Sequence, residues 1–195
     1  LVTNASDLKA GDQVVIAAKD YNYALSTTQN NNNRGQAAIT KSGDNITFGS
    51  DVQILTLEAG TKSSTFGLNT GSGYLYASSS SGNQLKTQAT NNDNGSWSIS
   101  ISSGTATITA SGTNTRNTMQ YNQSSSLFAC YSSASQKALA IYKKVCAEET
   151  DCNKFAFSAD LNTTYECNIN DNLTLTVDAQ YDSKASNNIT YQWYS

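Results

Sequence analysis

One pattern of short apolar stretches recurs three times before residue 145, and it constrains the fold more than any other feature of the chain. The first copy runs Val14-Val15-Ile16, Tyr23-Ala24-Leu25, Ala37-Ala38-Ile39 and Val52 to Leu57. The second runs Phe66 to Leu68, Tyr74-Leu75-Tyr76, Leu85 to Thr87 and Trp97 to Ile101. The third runs Ala106 to Ile108, Met119-Gln120-Tyr121, Leu127-Phe128-Ala129 and Leu139 to Tyr142. Equivalent positions are read at Val15, Phe66 and Thr107, and again at Ile54, Ile99 and Leu139, a period of 40 to 51 residues. Repeats of this length signal one supersecondary unit used several times.

Each stretch is short and bounded by Gly, Asn, Asp or Ser, as strands are. Where the pattern is clean it alternates: Trp97, Ile99 and Ile101 face one way, Ser98, Ser100 and Ser102 the other. No segment sustains a helical period. The chain is therefore expected to be all-β. Three units of four strands predict a β-trefoil-like domain over residues 1–144, half of the strands closing a barrel and half forming hairpins that cap it.

Charged residues are 14% of the chain, against roughly 25% in an average soluble protein. Ser, Thr, Asn and Gly supply the polarity instead, a surface typical of extracellular β-proteins. The net charge is −3 and the 12 basic residues are scattered, so nothing offers the basic stripe that neutralises phosphates, and nucleic acid is not an expected partner. There is no histidine, which removes the commonest general base and the commonest metal ligand. No apolar run reaches the ~20 residues of a membrane span. The chain opens at Leu1 and reads as a mature or excised piece of something longer. No cofactor, no metal site and no catalytic group are expected.

Beyond residue 144 the texture changes. Residues 145–154 are acidic and carry Cys146 and Cys152, which reads as a linker or clamp. A disulfide between Cys146 and Cys152 is expected, with a pairing of either one to Cys167 as the alternative; no pair has the spacing of a CxxC metal site. Cys130 lies inside an apolar stretch and reads as a small buried hydrophobe. Leu173 to Val177 and then Tyr191-Gln192-Trp193-Tyr194 resemble the B and C strands of an immunoglobulin-like domain, which makes residues 155–195 an incomplete β-sandwich. Its unpaired strands could recruit further copies of the chain.

The motifs Ala24 to Asn30, Asn33-Arg34-Gly35, Gly73-Tyr74-Leu75-Tyr76-Ala77, Arg116-Asn117 and Leu127 to Ser133 together resemble a β-trefoil-like accessory module repeated across secreted and surface-anchored bacterial proteins. The resemblance covers nearly all of residues 1–143. It implies a non-catalytic module, found beside nucleases or other extracellular catalytic domains and beside immunoglobulin-like repeats. The chain departs from that pattern at Thr118-Met119-Gln120.

Two loops carry the candidate binding residues. Gln29, Asn30, Asn33 and Arg34 lie in an amide-rich run suited to sugar hydroxyls, although Asn also simply fills tight turns. Arg116, Asn117, Tyr121 and Asn122 form the counterpart in the third unit, with an arginine tying loops together as the alternative reading. Tyr74, Tyr76, Tyr121 and Tyr131 could offer faces to sugar rings or belong to the core; for Tyr74 and Tyr76 the core is expected for one or both. Asn91 to Gly95 fails the ligand spacing of a calcium loop and reads as a turn. The expected function is a non-catalytic extracellular binding or adhesion module recognising glycans through loops. A fibre subunit assembled by strand complementation and an accessory C-terminal part of a secreted hydrolase or nuclease are the alternatives.

Overall fold

The predicted apolar stretches become strands in the computed structural model, which describes residues 1–145. The strands are β1 (Gln13–Ala18), β2 (Tyr23–Asn30), β3 (Asn33–Ser42), β4 (Asn45–Phe48), β5 (Leu55–Ala59), β6 (Phe66–Asn69) and β7 (Tyr74–Ala77). They continue as β8 (Leu85–Gln88), β9 (Ser96–Ser102), β10 (Thr105–Ala110), β11 (Thr118–Asn122), β12 (Leu127–Tyr131) and β13 (Leu139–Lys143). All pairings are antiparallel. The described residues are all-β apart from two single-turn 3-10 segments. The expected Cys146–Cys152 bridge, Cys167 and the immunoglobulin-like strands of 155–195 lie outside the described residues.

Six strands pair in a ring, β1–β13–β10–β9–β6–β5, and β5 returns to β1. The strands β2–β3, β7–β8 and β11–β12 pair as hairpins beside it. A closed ring has no free edge, which answers the main liability of an antiparallel sheet. Its interior holds Val14, Ile16, Leu55, Leu57, Leu68, Trp97, Ile108, Leu139 and Ile141, with Phe66, Ile99 and Ile101 packed against them. Trp97 is fully buried and its indole donates to Leu75 O at 3.0 Å, so the polar edge of this large side chain is satisfied. Cys130 is buried and free, and burial pushes its thiol pKa up, as a small hydrophobe requires.

The cross-strand pairs correct the register of the repeat. Val14 pairs with Leu55, Phe66 with Trp97 and Ala106 with Leu139. One turn of the pattern along, Ile16 pairs with Ile141, Leu68 with Leu57 and Ile108 with Ile99. The true equivalents are thus Val14, Phe66 and Ala106, and Leu55, Trp97 and Leu139. Ile54, expected to match Ile99, is 45% exposed. A slip of one residue sends a side chain to the opposite face, so small errors of alignment here invert inside and outside.

Two further differences matter for function. The stretch Val52 to Leu57 enters its strand only at Leu55, with Val52 making an isolated bridge to Ser26. The sequence also hides β4, which pairs with β3 from Ile39↔Phe48 to Ser42↔Asn45. This added strand contributes Ile46 to a second apolar cluster made of Val15, Ala17, Ala24, Ala37, Ile39, Val52, Ala140 and Tyr142. Val15, Ala17, Ala140 and Tyr142 are outward positions of β1 and β13, and Ile39 of β3 and Ile46 of β4 pack against them.

Candidate functional site

The run Gln29 to Gly35 is the tip of the β2–β3 hairpin. Asn30 pairs with Asn33, and Asn31 takes φ 44°, a left-handed conformation that Asn tolerates. Gln29 Nε2 donates to Asn33 O at 3.0 Å and to Leu85 O at 3.3 Å. In the orientation that satisfies both ends of its amide, Asn33 donates to Asn83 O at 2.8 Å. Arg34 is buried; its Nη2 donates to Gln53 Oε1, and Gln53 Nε2 donates to Ile54 O and Thr70 O. Burial lowers the Arg34 pKa, and its Nε has no partner. This arginine ties strands together from inside and does not reach the surface.

The third-unit candidates are engaged in the same way. Arg116 Nη1 donates to Asn83 Oδ1 at 2.6 Å, and Asn117 Nδ2 donates to Ala110 O at 3.4 Å. Asn122 Nδ2 donates to the Tyr131 hydroxyl while its Oδ1 accepts from Ser124 Oγ and Ser125 N. Tyr121 is 1% exposed, donates to Gln36 Oε1 and packs its ring among Tyr21, Tyr23 and Phe128. It is a core residue and offers no face to a ligand. The two expected loops do meet, since Asn33 and Arg116 both bond Asn83 in the second unit's loop. Gln29, Asn33 and Arg116 hold that junction together, whereas Asn117 and Asn122 bond within the third unit.

The threefold register points elsewhere. On the outer face of the ring, Glu58 pairs with Gly67, Ser100 with Thr107 and Tyr142 with Val15. Where each ring strand meets its hairpin, Asn69 pairs with Tyr74, Thr109 with Thr118 and Ala17 with Ala24. Superposing the units therefore equates Glu58–Asn69–Tyr74 with Ser100–Thr109–Thr118 and with Tyr142–Ala17–Ala24; each trio takes its first residue from the last strand of the preceding unit and is named for the unit that supplies the other two. The first-unit trio is apolar and belongs to the cluster under the β3–β4 hairpin. The third-unit trio carries short hydroxyl side chains, two of which share a 3.5 Å contact. Only the second-unit trio, where β5 of the first unit meets β6 and β7 of the second, places a carboxylate, an amide and an aromatic ring together.

Their geometry is tight. The Tyr74 hydroxyl donates to Glu58 Oε2 at 2.5 Å, and Asn69 Nδ2 donates to Glu58 Oε1 at 2.6 Å. Those two bonds, the tyrosine's first, hold the Glu58 carboxyl below its ordinary value and keep it ionised; the same bond raises the Tyr74 phenol. Gly67 makes the arrangement possible. A Cβ there would sit 3.2 Å from Tyr74 Cδ1, 3.3 Å from Cε1 and 2.8 Å from Asn91 Nδ2. With no side chain in the way, the ring lies across the strand to reach Glu58. Val15 and Thr107 occupy this position in the other units and would block it.

Tyr74 and Tyr76 are both half-buried, whereas Leu75 and Ala77 are fully buried. The expectation that one or both tyrosines fill the core is thus inverted: the core takes the intervening residues. Opposite Tyr74 and Tyr76 stand Gln88 and Lys86, and Gln88 exchanges amide hydrogen bonds with Asn92. Asn92 caps the 3-10 turn Asp93–Gly95, the turn expected there. The face therefore presents a fixed, ionised acceptor pair beside an aromatic ring, bordered by amides. Among the described residues no three carboxylate or thiol groups gather where they could hold a cation.

Glu58 and Asn69 were missed by sequence reasoning, since nothing local links Glu58 to a tyrosine 16 residues away. The available signal was Gly67, a glycine in mid-strand, which marks the close approach of another group. A separate apolar cavity of about 570 Å3 lies beside β4, and the exposed side chains of Leu1, Phe48, Ile54 and Val145 all line it.

No protein-family model matches the chain, and neither does any curated protein sequence. Solved structures do resemble it. The GlcNAcα1-4Gal-releasing endo-β-galactosidase from Clostridium perfringens matches with TM-score 0.52 at 11% identity, over 69% of this chain and 33% of that one. The chain thus spans about a third of that enzyme's length, and the likeness is one of fold. The Polyporus squamosus lectin, solved with Neu5Acα2-6Galβ1-4GlcNAc, matches with TM-score 0.49 at 14% identity, over 69% and 49% of the two chains. A Culex quiquefasciatus salivary protein of a cysteine- and tryptophan-rich family matches with TM-score 0.49 at 19% identity, over 72% and 98%.

Proposed function

We propose that residues 1–144 form a β-trefoil-like, non-catalytic module of an extracellular bacterial protein, and that it recognises carbohydrate on the outer face where β5 of its first unit meets the second unit. One observation carries the reading: the Glu58 carboxylate is held by Tyr74 and Asn69 beside a ring laid over Gly67. Sugars present hydroxyl donors around a ring with apolar C–H faces. A fixed carboxylate accepts from such hydroxyls, and an aromatic ring offers an apolar body beside a polar tip.

The trefoil assignment is supported by the closed ring, the three hairpins and the matching cross-strand pairs. Glu58 is not poised as a general acid. A proton-donating carboxyl needs a raised pKa, whereas the bonds from Tyr74 and Asn69 lower this one. Extracellular placement is supported by a surface that relies on hydroxyls and amides more than on charge. Among the described residues no helix is long and apolar enough to cross a membrane. Attached to a catalytic domain or a cell surface, such a module would hold its host against glycan.

A glycan array probed with the full chain tests the reading, followed by Tyr74→Ala and Glu58→Gln variants. Each substitution is expected to weaken binding at least tenfold, about 1.4 kcal/mol, with thermal melts showing that the fold persists. Binding that survives both substitutions in folded protein would place the site elsewhere, and an array with no ligand would remove the carbohydrate reading.

A further inference from the structure

We propose that the Glu58 face takes a neutral hexopyranose through two hydroxyls on adjacent carbons and discriminates against sugars bearing carboxylate or sulfate. This inference rests on the carbohydrate reading of the same site and narrows its ligand class.

Glu58 has acceptor capacity left for a ligand. An ionised carboxylate is acceptor-only, with about four lone-pair sites on its two oxygens. Tyr74 uses one site on Oε2 and Asn69 one on Oε1, so each oxygen keeps room for one more donor. Two hydroxyls on neighbouring carbons of a sugar ring can donate to both oxygens at once. The same hydrogen bonds prevent the carboxylate from turning, so the ligand meets the pair in a set orientation. Tyr74, lying over Gly67, supplies a flat apolar surface at the edge of that pair.

Charge then selects among such ligands. No cation of the described residues lies within ion-pair distance of Glu58: Lys62 pairs with Asp93, and Lys143 with Asp12. Lys86 stands on the neighbouring hairpin opposite Tyr76, not at Glu58. An acidic substituent brought to the Glu58 oxygens would face a fixed negative charge with nothing to compensate it. It would also offer acceptors where the site needs donors, leaving groups unpaired at the contact.

The test uses the full chain and two sets of probes followed by amide chemical-shift perturbation. One set is the methyl glucoside, galactoside and mannoside; the other is the matching methyl uronosides and 6-sulfates. At least one neutral glycoside is expected to shift resonances around Glu58, Gly67 and Tyr74, with its acidic counterparts binding at least tenfold more weakly. Glu58→Gln, checked for folding by its melt, is expected to weaken the neutral ligand and shrink the neutral-to-acidic ratio. Equal or tighter binding of the acidic probes at Tyr74, or a ratio unchanged by Glu58→Gln, would overturn the inference while leaving the carbohydrate reading intact. Silence from both sets and from the glycan array would overturn the two together.

Discussion

The outer faces of the first and second units use one backbone geometry for opposite ends. In the first unit, Tyr142, Ala17 and Ala24 join Val15, Ile39 and Val52 in a packed apolar cluster covered by the β3–β4 hairpin. In the second, the equivalent positions are Glu58, Asn69 and Tyr74, bonded to one another and open to water on one side. The change turns on the residue in the middle of the first ring strand. Val15 fills the space above its strand and asks for an apolar neighbour, while Gly67 leaves the space to an incoming ring. A repeated scaffold can thus be a packing surface in one copy and a polar site in the next, without any change in strand pairing.

The largest expected effect lies on the packed side. Ile39→Ala removes a buried side chain from the first-unit cluster and should cost about 2–5 kcal/mol in urea denaturation. A loss under about 1 kcal/mol would mean that the hairpin is not held by this packing. Gly67→Val tests the comparison directly, because it places the first unit's residue in the second. The new Cβ would press on Asn91 and the Tyr74 ring, so a loss of about 1–3 kcal/mol is expected, as for overpacking. Ligand shifts at Glu58 should vanish with it; a variant that keeps full affinity would show that the ring position is irrelevant.

A third measurement counts sites. Calorimetric titration of any neutral ligand should give one sugar per chain, since only one unit carries the trio, and a stoichiometry near three would erase the distinction between units. The smallest effect concerns pH. The folded Glu58 pKa lies below its ordinary value of 4.5, so its contribution to stability is fully present above that value and is lost as pH falls through the lowered one. Denaturation midpoints should therefore fall slightly more steeply with acidity, between about pH 5 and pH 3, in the wild type than in Glu58→Gln. Parallel curves would show that the Tyr74 and Asn69 bonds do not favour the ionised carboxylate.

Much of the fold was legible in the chain. Strand positions followed from short apolar runs between Gly, Asn, Asp and Ser, and alternation foretold the inward side of Trp97, buried, and of Ile99 and Ile101, partly buried, against exposed Ser98, Ser100 and Ser102. What failed was register. Aligning Phe66 instead of Gly67 with Val15 and Thr107 is a one-residue error, yet it exchanges inside for outside. The same parity decides that Leu75 enters the core while Tyr74 and Tyr76 stay out. The strand β4 is not marked in the sequence because it is only four residues long and gains a partner only by folding back on β3.

The site was legible in part. The sequence marks Tyr74 as a stacking candidate, and it marks the amide-rich tip at Gln29 to Arg34 more strongly. Composition cannot tell whether an amide or a guanidinium is free. Asn33, Arg34 and Arg116 spend hydrogen bonds on residues far along the chain, and Asn122 bonds within its own hairpin; only packing shows it.

By itself, then, the order of residues determined that the chain is β throughout its described part, where its strands run and that three units share one pattern. Those properties are local: they rest on alternation, on turn residues and on β-branched and aromatic side chains. The tertiary structure alone decided which outer face is sealed and which is open, because that depends on pairs such as Glu58 with Gly67 and Asn69 with Tyr74. Such pairs exist only once the strands are in register, and hydrogen bonding at the distance of a few ångströms has no trace in sequence separation.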